Sequence, residues 1–346
     1  MEYKKLGRTD LNISLIGLGT MTWGSQNSQN DAFAQMDYAL ERGINFFDTA
    51  EMYAVPPTAK TFGTTETMIG NWFSKHVKRD KVILASKIAG PGLSWVRNGR
   101  NVIDKKNIHL ALENSLKRLQ TDYIDLYQLH WPNRGSYHFG QSWSYAPNFD
   151  AQAEEDNFLE VLHTMQTLIE AGKIRHIGIS NETAWGMSKW LELSKYHNLP
   201  RMASIQNEYS LLCRYFEPDL SEIALHEDCG LLAWSPLSRG TLSGKYLDGA
   251  RPQGARLTIE TRPDHRAHLL TEAAIKSYTE LANSHGLDPC QMALAFVNTR
   301  PFVTSTLIGA TNMQQLKSNI DSVELKLSNE IYDEINKIRR NYPMPY

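Results

Sequence analysis

The stretch NFFDTAEMY, residues 45–53, begins as a short apolar run and then turns polar, with Asp48 and Tyr53 five positions apart. Continuous apolar runs of this length are typical of parallel strands that are covered on both faces. Comparable runs recur along the whole chain, and we predict that each of them is a strand. Together with 45–48 they are residues 14–18, 82–87, 124–130, 176–180, 203–206, 231–235 and 305–308.

Amphipathic segments separate these runs and predict the helices. They are residues 31–42, 65–76, 107–119, 157–171, 184–197, 218–227, 271–285 and 312–322. Eight such alternations predict an α/β fold of the (β/α)8 TIM-barrel type, and a doubly wound open sheet is the alternative for the same pattern. The count favours the barrel, and we expect residues 1–346 to form a single domain.

Both ends of the chain predict additions to the barrel. Two short extended pieces around residues 7–10 suit an N-terminal β-hairpin that plugs one end. Asp288, Pro289 and Gln291 predict a helix N-cap, a proline in the first turn and a capping-box glutamine, so an extra C-terminal helix is expected to run to Thr299. A final helix is expected over residues 328–340.

The composition excludes several classes of protein. The 36 basic and 38 acidic side chains give a net charge of -2, which does not indicate a nucleic-acid partner. The three cysteines are widely spaced and predict neither a disulfide framework nor a metal site. The N-terminus has no apolar core of a signal peptide, and no apolar stretch reaches the ~18 residues that span a bilayer. We therefore predict a cytoplasmic protein without a membrane partner.

Ionisable residues end three consecutive predicted strands. Asp48, Lys87 and His130 hold these positions, and Tyr53 follows in the loop after the first of them. Taken singly, the aspartate is typical of a turn or helix cap, the lysine of a side chain that extends into solvent, and the histidine of a structural residue. In a barrel, however, strand ends meet at one mouth, where these groups would form a proton donor to a carbonyl oxygen. A neighbouring ammonium is expected to lower the pKa of the phenol from about 10.

Reduction of a carbonyl also requires a hydride donor, which no side chain provides. This requirement points to a nicotinamide cofactor. No GxGxxG motif follows any predicted strand, so we expect the cofactor to lie across the barrel mouth instead of in a Rossmann site.

Motifs along nearly the whole chain resemble the aldo-keto reductase superfamily, most closely its bacterial Tas-like NADP(H)-dependent members. They are LGRTDLNISLIGLGTMTWG (6–24), GINFFDTAEMY (43–53), LASK (84–87), DLYQLHWP (125–132), GKIRHIGISN (172–181), IQNEYS (205–210), WSPLSRGTLSGKY (234–246) and LIGATNMQQLKSN (307–319). The resemblance implies a barrel that transfers hydride from NADPH to aldehydes and ketones. It also implies that Tyr53 is the general acid and that Asp48 and Lys87 adjust its acidity. His130 is then expected to orient the carbonyl.

The resemblance also implies a cofactor site. Ser180, Asn181 and Gln206 would hold the nicotinamide carboxamide, and Trp234 would stack on the ring. Arg256 is a candidate for the 2′-phosphate. NADPH is the preferred cofactor, and NADH is expected to bind more weakly. The segment after Gly309 has no lysine or arginine before Lys317, which reduces the expected margin of NADPH over NADH. The remaining candidate contacts are Thr20, Gln26, Ser235, Leu237, Arg239, Gly240, Lys245, Gly309, Thr311, Gln315 and Asn319.

The substrate pocket is predicted from aromatic residues. Trp23, Trp95 and Trp131 are expected to line it, and the aromatic-rich loop 132–156 either closes over it or packs down beside it. We expect a small-molecule carbonyl substrate and a broad range. The alternative from another class is a cofactor-binding regulatory subunit that resembles the β subunits of potassium channels, because those relatives keep the catalytic residues. The sequence predicts no oligomeric state.

Overall fold

A computed structural model describes residues 1–75, 79–147, 150–260 and 266–346. An antiparallel hairpin, β1 (Tyr3–Lys5) and β2 (Asn12–Ser14), precedes a closed barrel of parallel strands. The barrel strands are β3 (Ile16–Gly19), β4 (Phe46–Asp48), β5 (Ile83–Ile88), β6 (Ile124–Leu129), β7 (Ile174–Ser180), β8 (Met202–Glu208), β9 (Leu231–Trp234) and β10 (Val303–Ile308). Closure is made by β10, where Thr306 pairs with Ile16 of β3 on one side and with Ala233 of β9 on the other. The predicted (β/α)8 barrel with its hairpin is confirmed, and the open sheet is wrong.

The helices surround the barrel. They are α1 (Gln29–Glu41), α2 (Thr64–Lys75), α3 (Lys105–Leu119), α4 (Ala151–Glu170), α5 (Ala184–His197), α6 (Leu220–His226), α7 (Arg256–Ile259), α8 (Leu269–Ser284), α9 (Pro289–Asn298), α10 (Met313–Asp321) and α11 (Asn329–Asn341). Residue 76, the predicted end of the second helix, lies outside the described residues. Helix α4 begins before the predicted position 157, because the Asp150 side chain accepts hydrogen bonds from the backbone N–H groups of Gln152 and Ala153. No described helix has the length and apolarity needed to cross a bilayer.

The C-terminal helices differ from the prediction in their packing. Helix α9 begins at the Asp288 cap as expected, but the Gln291 side chain donates to Ser318 O at 3.1 Å and does not complete a capping box. Its apolar side chains are buried, and α9 contacts β10, whereas α8 contacts α11. The additions to the barrel are therefore α8 and α11, and α9 covers a barrel strand.

The N-terminal hairpin seals the lower end of the barrel. Leu6, Leu11 and Ile13 pack against an apolar layer inside the barrel. Gly7 has φ +56° in the connecting turn, and a Cβ there would lie 2.4 Å from Ala203 O, so only glycine allows the turn to approach this closely. The layer consists of Phe46, Ala85, Leu126, Ala203, Leu232 and Leu307.

Alternation along each strand places polar residues above this apolar layer. Asp48 lies two residues beyond Phe46, Lys87 two beyond Ala85, and Gln128 two beyond Leu126, so each points to the same inner face as its apolar predecessor. Because the strands are parallel, this polar layer lies at their C-terminal ends, where barrel enzymes carry their chemistry.

Candidate active site

An ion pair between Asp48 and Lys87 lies at the mouth of the barrel. Asp48 ends β4 in register with Ala85, and Lys87 follows two residues later on the adjacent strand. The Lys87 Nζ atom is 2.6 Å from Asp48 Oδ2, with both side chains buried, and it also donates to Thr49 O at 2.9 Å. Two acceptors thus hold the ammonium in one place.

The ion pair keeps Lys87 charged. Burial is the largest influence on Lys87 and by itself lowers the pKa of the ammonium. Asp48 and Tyr53 together outweigh it, so the pKa of Lys87 is raised above its usual value. The lysine is therefore a cation at neutral pH.

Tyr53 lies next to this cation. Lys87 Nζ is 5.2 Å from the centroid of the phenol ring, and the tyrosine remains partly accessible. Burial raises the pKa of the Tyr53 phenol, and Lys87 opposes this without reversing it. The expected lowering of the pKa is thus wrong, because desolvation outweighs the ammonium. The phenol is protonated at neutral pH, as a proton donor must be.

His130 follows the end of β6 and faces the phenol. The two rings meet edge to face, with centroids 5.7 Å apart and an interplanar angle of 78°. Burial, assisted by Lys87, holds the pKa of His130 well below its usual value, so the imidazole is neutral. Its Nδ1 atom is buried and has no hydrogen-bond partner among the described residues. A buried polar atom without a partner is unusual and is typical of a catalytic role or of a site that a water molecule or ligand completes.

The second oxygen of Asp48 is held by two amides. Gln206 Nε2 donates to Oδ1 at 2.8 Å, and Gln128 Nε2 donates to the same atom at 3.2 Å. Thr20 Oγ1 donates to the backbone carbonyl of Asp48 at 2.9 Å. The carboxylate is therefore fixed on both sides.

The three predicted carboxamide ligands lie together at the ends of β7 and β8. Ser180 Oγ donates to Gln206 O at 2.7 Å, and Asn181 Nδ2 donates to His130 O at 2.8 Å. Trp234 Nε1 donates to Asn181 Oδ1 at 3.2 Å, which ties the predicted stacking residue to the same group. One hydrogen-bonded network thus joins these residues to the strand that precedes His130.

Aromatic rings form a wall beside Trp234. Phe139, from the long loop after β6, lies nearly parallel to Trp234, with ring centroids 6.0 Å apart, and meets Trp131 edge to face at 6.2 Å. Trp131 also packs near Tyr53 in a small apolar cluster, and Trp95 is partly exposed. The loop therefore packs at least one aromatic ring against the barrel mouth, while its Trp143 remains largely exposed. Residues 148 and 149 of this loop lie outside the described residues.

Trp23 does not belong to this wall. Its side chain is fully buried in the main hydrophobic core, and its Nε1 donates to Gln35 Oε1 of α1 at 3.0 Å. The prediction that Trp23 lines the pocket is corrected, because an indole anchored in this way is not accessible to a ligand.

The loop after β9 contains the candidate cofactor contacts from Ser235 to Arg256, and it carries an arginine pair. Arg239 and Arg256 both form ion pairs with Glu260, at 3.5 Å between Arg256 Nε and Oε2. Burial, followed by the nearby Arg239, lowers the pKa of Arg256 to about 10, which still leaves it charged at neutral pH. Residues 261–265, further along this loop, lie outside the described residues.

The rest of this loop turns tightly. Ser238 N donates to Ser235 O at 2.8 Å, and Gly240 N donates to Leu237 O at 2.8 Å. The Lys245 side chain lies beside Gly240 of this turn, because a Cβ atom added to Gly240 would be 3.3 Å from the Lys245 Nζ atom. The predicted loop residues are thus brought together.

The remaining candidates lie near β10 and in the loop after β3. Thr311 donates through its N and Oγ1 atoms to Gln315 Oε1, and Asn319 Nδ2 donates to Gly309 O at 3.3 Å. The space beside Gly309 is open, because a Cβ there would meet no atom within 4 Å. Gln26 Oε1 is buried and unpaired within the described part of the chain. Open space and an unpaired acceptor both fit a bound polar ligand.

Comparison with known proteins identifies the family. The sequence model of the Aldo/keto reductase family matches residues 15–340. The chain belongs to this family. Protein tas of Escherichia coli is 49% identical over 350 residues, which cover 100% of this chain and 99% of the relative. Uncharacterized oxidoreductase YrpG of Bacillus subtilis is 34% identical over 98% of this chain and 96% of its own. Norsolorinic acid reductase of Emericella nidulans is 28% identical over 94% of this chain and 78% of its own.

Membership of this family supports an oxidoreductase and, in general terms, carbonyl reduction. Three features of this aldo/keto reductase escaped the sequence analysis. Gln128 had one signal, its inward position midway between the apolar Leu126 and the candidate His130 on the same strand face. The sequence contains no signal for Glu260, because it contacts Arg239 and Arg256 only after the loop folds.

Glu51 is the third feature, and it anchors the loop that carries Tyr53. Its carboxylate is buried, pairs with Arg97 and accepts a hydrogen bond from Ala89 N at 2.7 Å. Burial is the largest influence on its pKa, which is raised despite Arg97. The pair ties the segment that carries Tyr53 to the loop after β5.

Proposed function

We propose that this protein reduces aldehydes and ketones to alcohols with NADPH, with Tyr53 as the proton donor. One observation carries the proposal: a protonated phenol lies beside a buried lysine–aspartate pair and a neutral imidazole whose Nδ1 has no hydrogen-bond partner among the described residues. This arrangement suits a reaction in which an oxygen gains negative charge and then a proton.

The residues around the mouth fit the cofactor. When bound, NADPH would supply the hydride for the carbonyl carbon. Ser180, Asn181 and Gln206 would hold its carboxamide, and Trp234 would stack on the ring. Gln26 offers a buried oxygen that has no partner in the described part of the chain, which supports a polar ligand on this side of the mouth. The phosphates would lie at the 235–245 turn with Arg239, Gly240 and Lys245, and Thr311, Gln315 and Asn319 would meet the adenosine end.

Arg256 supports a preference for NADPH over NADH. It remains charged at neutral pH, and its guanidinium suits the additional phosphate of NADPH. We propose that NADH binds more weakly because it lacks this phosphate. It should still bind, because no basic residue between Gly309 and Lys317 adds to the preference for NADPH.

The side chains divide the proton chemistry among themselves. His130 donates a hydrogen bond to the carbonyl oxygen, which places and polarises the carbonyl. Tyr53 transfers its phenolic proton to that oxygen as negative charge develops. Lys87 stabilises the phenolate that remains, and Asp48 keeps Lys87 charged and in position. Because Tyr53 is partly accessible, solvent restores its proton.

The test combines binding with turnover. Titration with NADPH and with NADH, followed by tryptophan fluorescence, should show tighter binding of NADPH. Tyr53→Phe should abolish reduction across a panel of aldehydes and ketones and leave NADPH affinity nearly unchanged. Tyr127→Phe is the matched control, since this tyrosine is buried in the main core and its hydroxyl has no partner among the described residues.

Each result has a defined meaning. Full activity of Tyr53→Phe would refute the acid assignment, and no response to either dinucleotide would refute the cofactor. Tight NADPH binding without turnover of any carbonyl would favour the regulatory-subunit alternative. Turnover of several members of the panel would support a broad substrate range.

A further inference from the structure

Gln128 is a fully buried amide within the barrel. It lies on β6 in register with Lys87, at the level of Asp48. A buried amide without partners destabilises the fold, so its hydrogen bonds define what the residue does.

The hydrogen bonds of Gln128 form a triangle with Asp48 and Gln206. Gln128 Nε2 is 3.2 Å from Asp48 Oδ1, and Gln206 Nε2 is 2.8 Å from the same oxygen. Gln206 Nε2 is also 3.2 Å from Gln128 Oε1. An ionised carboxylate only accepts hydrogen bonds, so both amide nitrogens must face Asp48.

This triangle determines how Gln206 presents its amide. One N–H of Gln206 meets Asp48 and the other meets Gln128, so its Oε1 is directed away from both. Within residues 1–75, 79–147, 150–260 and 266–346, no hydrogen bond reaches that Oε1. With Asp48 alone, the Gln206 amide would be free to rotate about a single hydrogen bond. The second bond, to Gln128, fixes its plane.

We propose that Gln128 is a positioning residue that fixes the Gln206 amide with its Oε1 toward the cofactor, where it accepts an N–H of the nicotinamide carboxamide. The inference rests on the proposed function, in which Gln206 is a cofactor ligand. It adds a direct connection, since the amide that recognises the cofactor also holds the carboxylate partner of Lys87.

The test compares NADPH with its analogue in which an acetyl group replaces the carboxamide. The analogue keeps the carbonyl but has no N–H for Gln206. Wild-type protein should bind NADPH about tenfold more tightly than the analogue, the effect of one well-oriented hydrogen bond. Gln128→Met has similar length and no amide, and it should reduce this ratio to about threefold while changing the affinity for the analogue by less than about twofold.

Two further variants locate the effect. Gln206→Met should bring the ratio close to one, and adding Gln128→Met to it should cause no further change, because Gln128 acts through Gln206. Ser204→Ala is the matched control. It removes a buried hydroxyl from β8, the strand of Gln206, that has no partner among the described residues, and the ratio should stay at the wild-type value.

The outcomes are distinguishable. An unchanged ratio in Gln128→Met, or an equal loss of affinity for both dinucleotides, overturns the positioning role. Wild-type protein that binds neither dinucleotide overturns the proposed function and this inference with it. If Gln128→Met does not fold, as judged by circular dichroism, Gln128→Leu provides the same comparison.

Discussion

Arg97 donates two hydrogen bonds through Nη1 to Glu51, at 2.7 Å to Oε1 and 2.8 Å to Oε2, two residues before Tyr53 in the chain. Both side chains are buried. Removing the guanidinium leaves a buried carboxylate without its partner, so Arg97→Met should lower the free energy of unfolding by about 3–5 kcal/mol. Urea denaturation measures the change.

A double variant separates charge from packing. Glu51→Gln combined with Arg97→Met should recover part of the loss, because the neutral amide can still accept from Ala89 N. Arg8→Met is the control, since Arg8 and Asp228 form an exposed pair at 2.9 Å that should contribute at most about 1 kcal/mol. Equal effects of Arg97→Met and Arg8→Met would contradict the anchoring role.

The pH dependence of carbonyl reduction should follow Tyr53. Burial raises its pKa above the usual value of a phenol, so the acid form persists through neutral pH and the rate should fall from this cause only in strongly alkaline solution. Lys87→Met removes the largest of the influences that lower the pKa of Tyr53, so the residual activity should titrate at still higher pH. Profiles of kcat against pH for the two proteins measure the shift. A fall in the rate near pH 8 that is absent in Lys87→Met would argue against this assignment.

His138 should make the fold sensitive to acid. Burial is the main reason that its pKa is lowered from 6.5 to about 4. As the pH falls below 6.5, the unfolded chain binds a proton at this residue and the folded chain does not, so stability decreases until about pH 4. The full effect is about 3 kcal/mol. His138→Gln should therefore lose less stability than the wild type between pH 7 and about pH 4.5, by urea denaturation. The exposed His197→Gln should behave like the wild type.

Glu260 should weaken cofactor binding. Its carboxylate neutralises Arg239 and Arg256, and an incoming phosphate has to compete with it. Glu260→Gln should raise the affinity for NADPH about tenfold at low ionic strength, with a smaller gain in high salt. Fluorescence titration at several salt concentrations measures this, with the exposed Glu280→Gln of α8 as the control. Weaker binding by Glu260→Gln would mean that the carboxylate mainly positions the arginines.

The sequence predicted the features that depend on local periodicity. Apolar runs separated by amphipathic segments predicted the barrel, and the polar ends of these runs placed Asp48, Lys87 and His130 at one mouth. Each of these positions follows from the alternation of inward-facing and outward-facing side chains along a strand, which is visible within a few residues of sequence.

Features that depend on distant partners were not predictable in the same way. The hydrogen-bond partners of Gln128 and of Trp23 are defined only once separate strands and helices pack together. The pKa of Tyr53 had the wrong predicted direction because the sequence shows the neighbouring lysine but not the extent of desolvation. The packing of α8 and α9 likewise depends on which of the two helices covers β10 in the folded chain.

The plug formed by Leu6, Leu11 and Ile13 makes the inside of the barrel a dead end. Anything that reaches Lys87 has to arrive and depart through the loops at the opposite end. Under the proposed function, NADPH and the carbonyl substrate both enter through this end of the barrel. NADPH, which contacts the amides of Gln206 and Asn181, lies beneath the substrate. Under the same proposal, the dinucleotide would bind before the carbonyl substrate and leave after the alcohol, and its rate of release would set an upper limit on turnover.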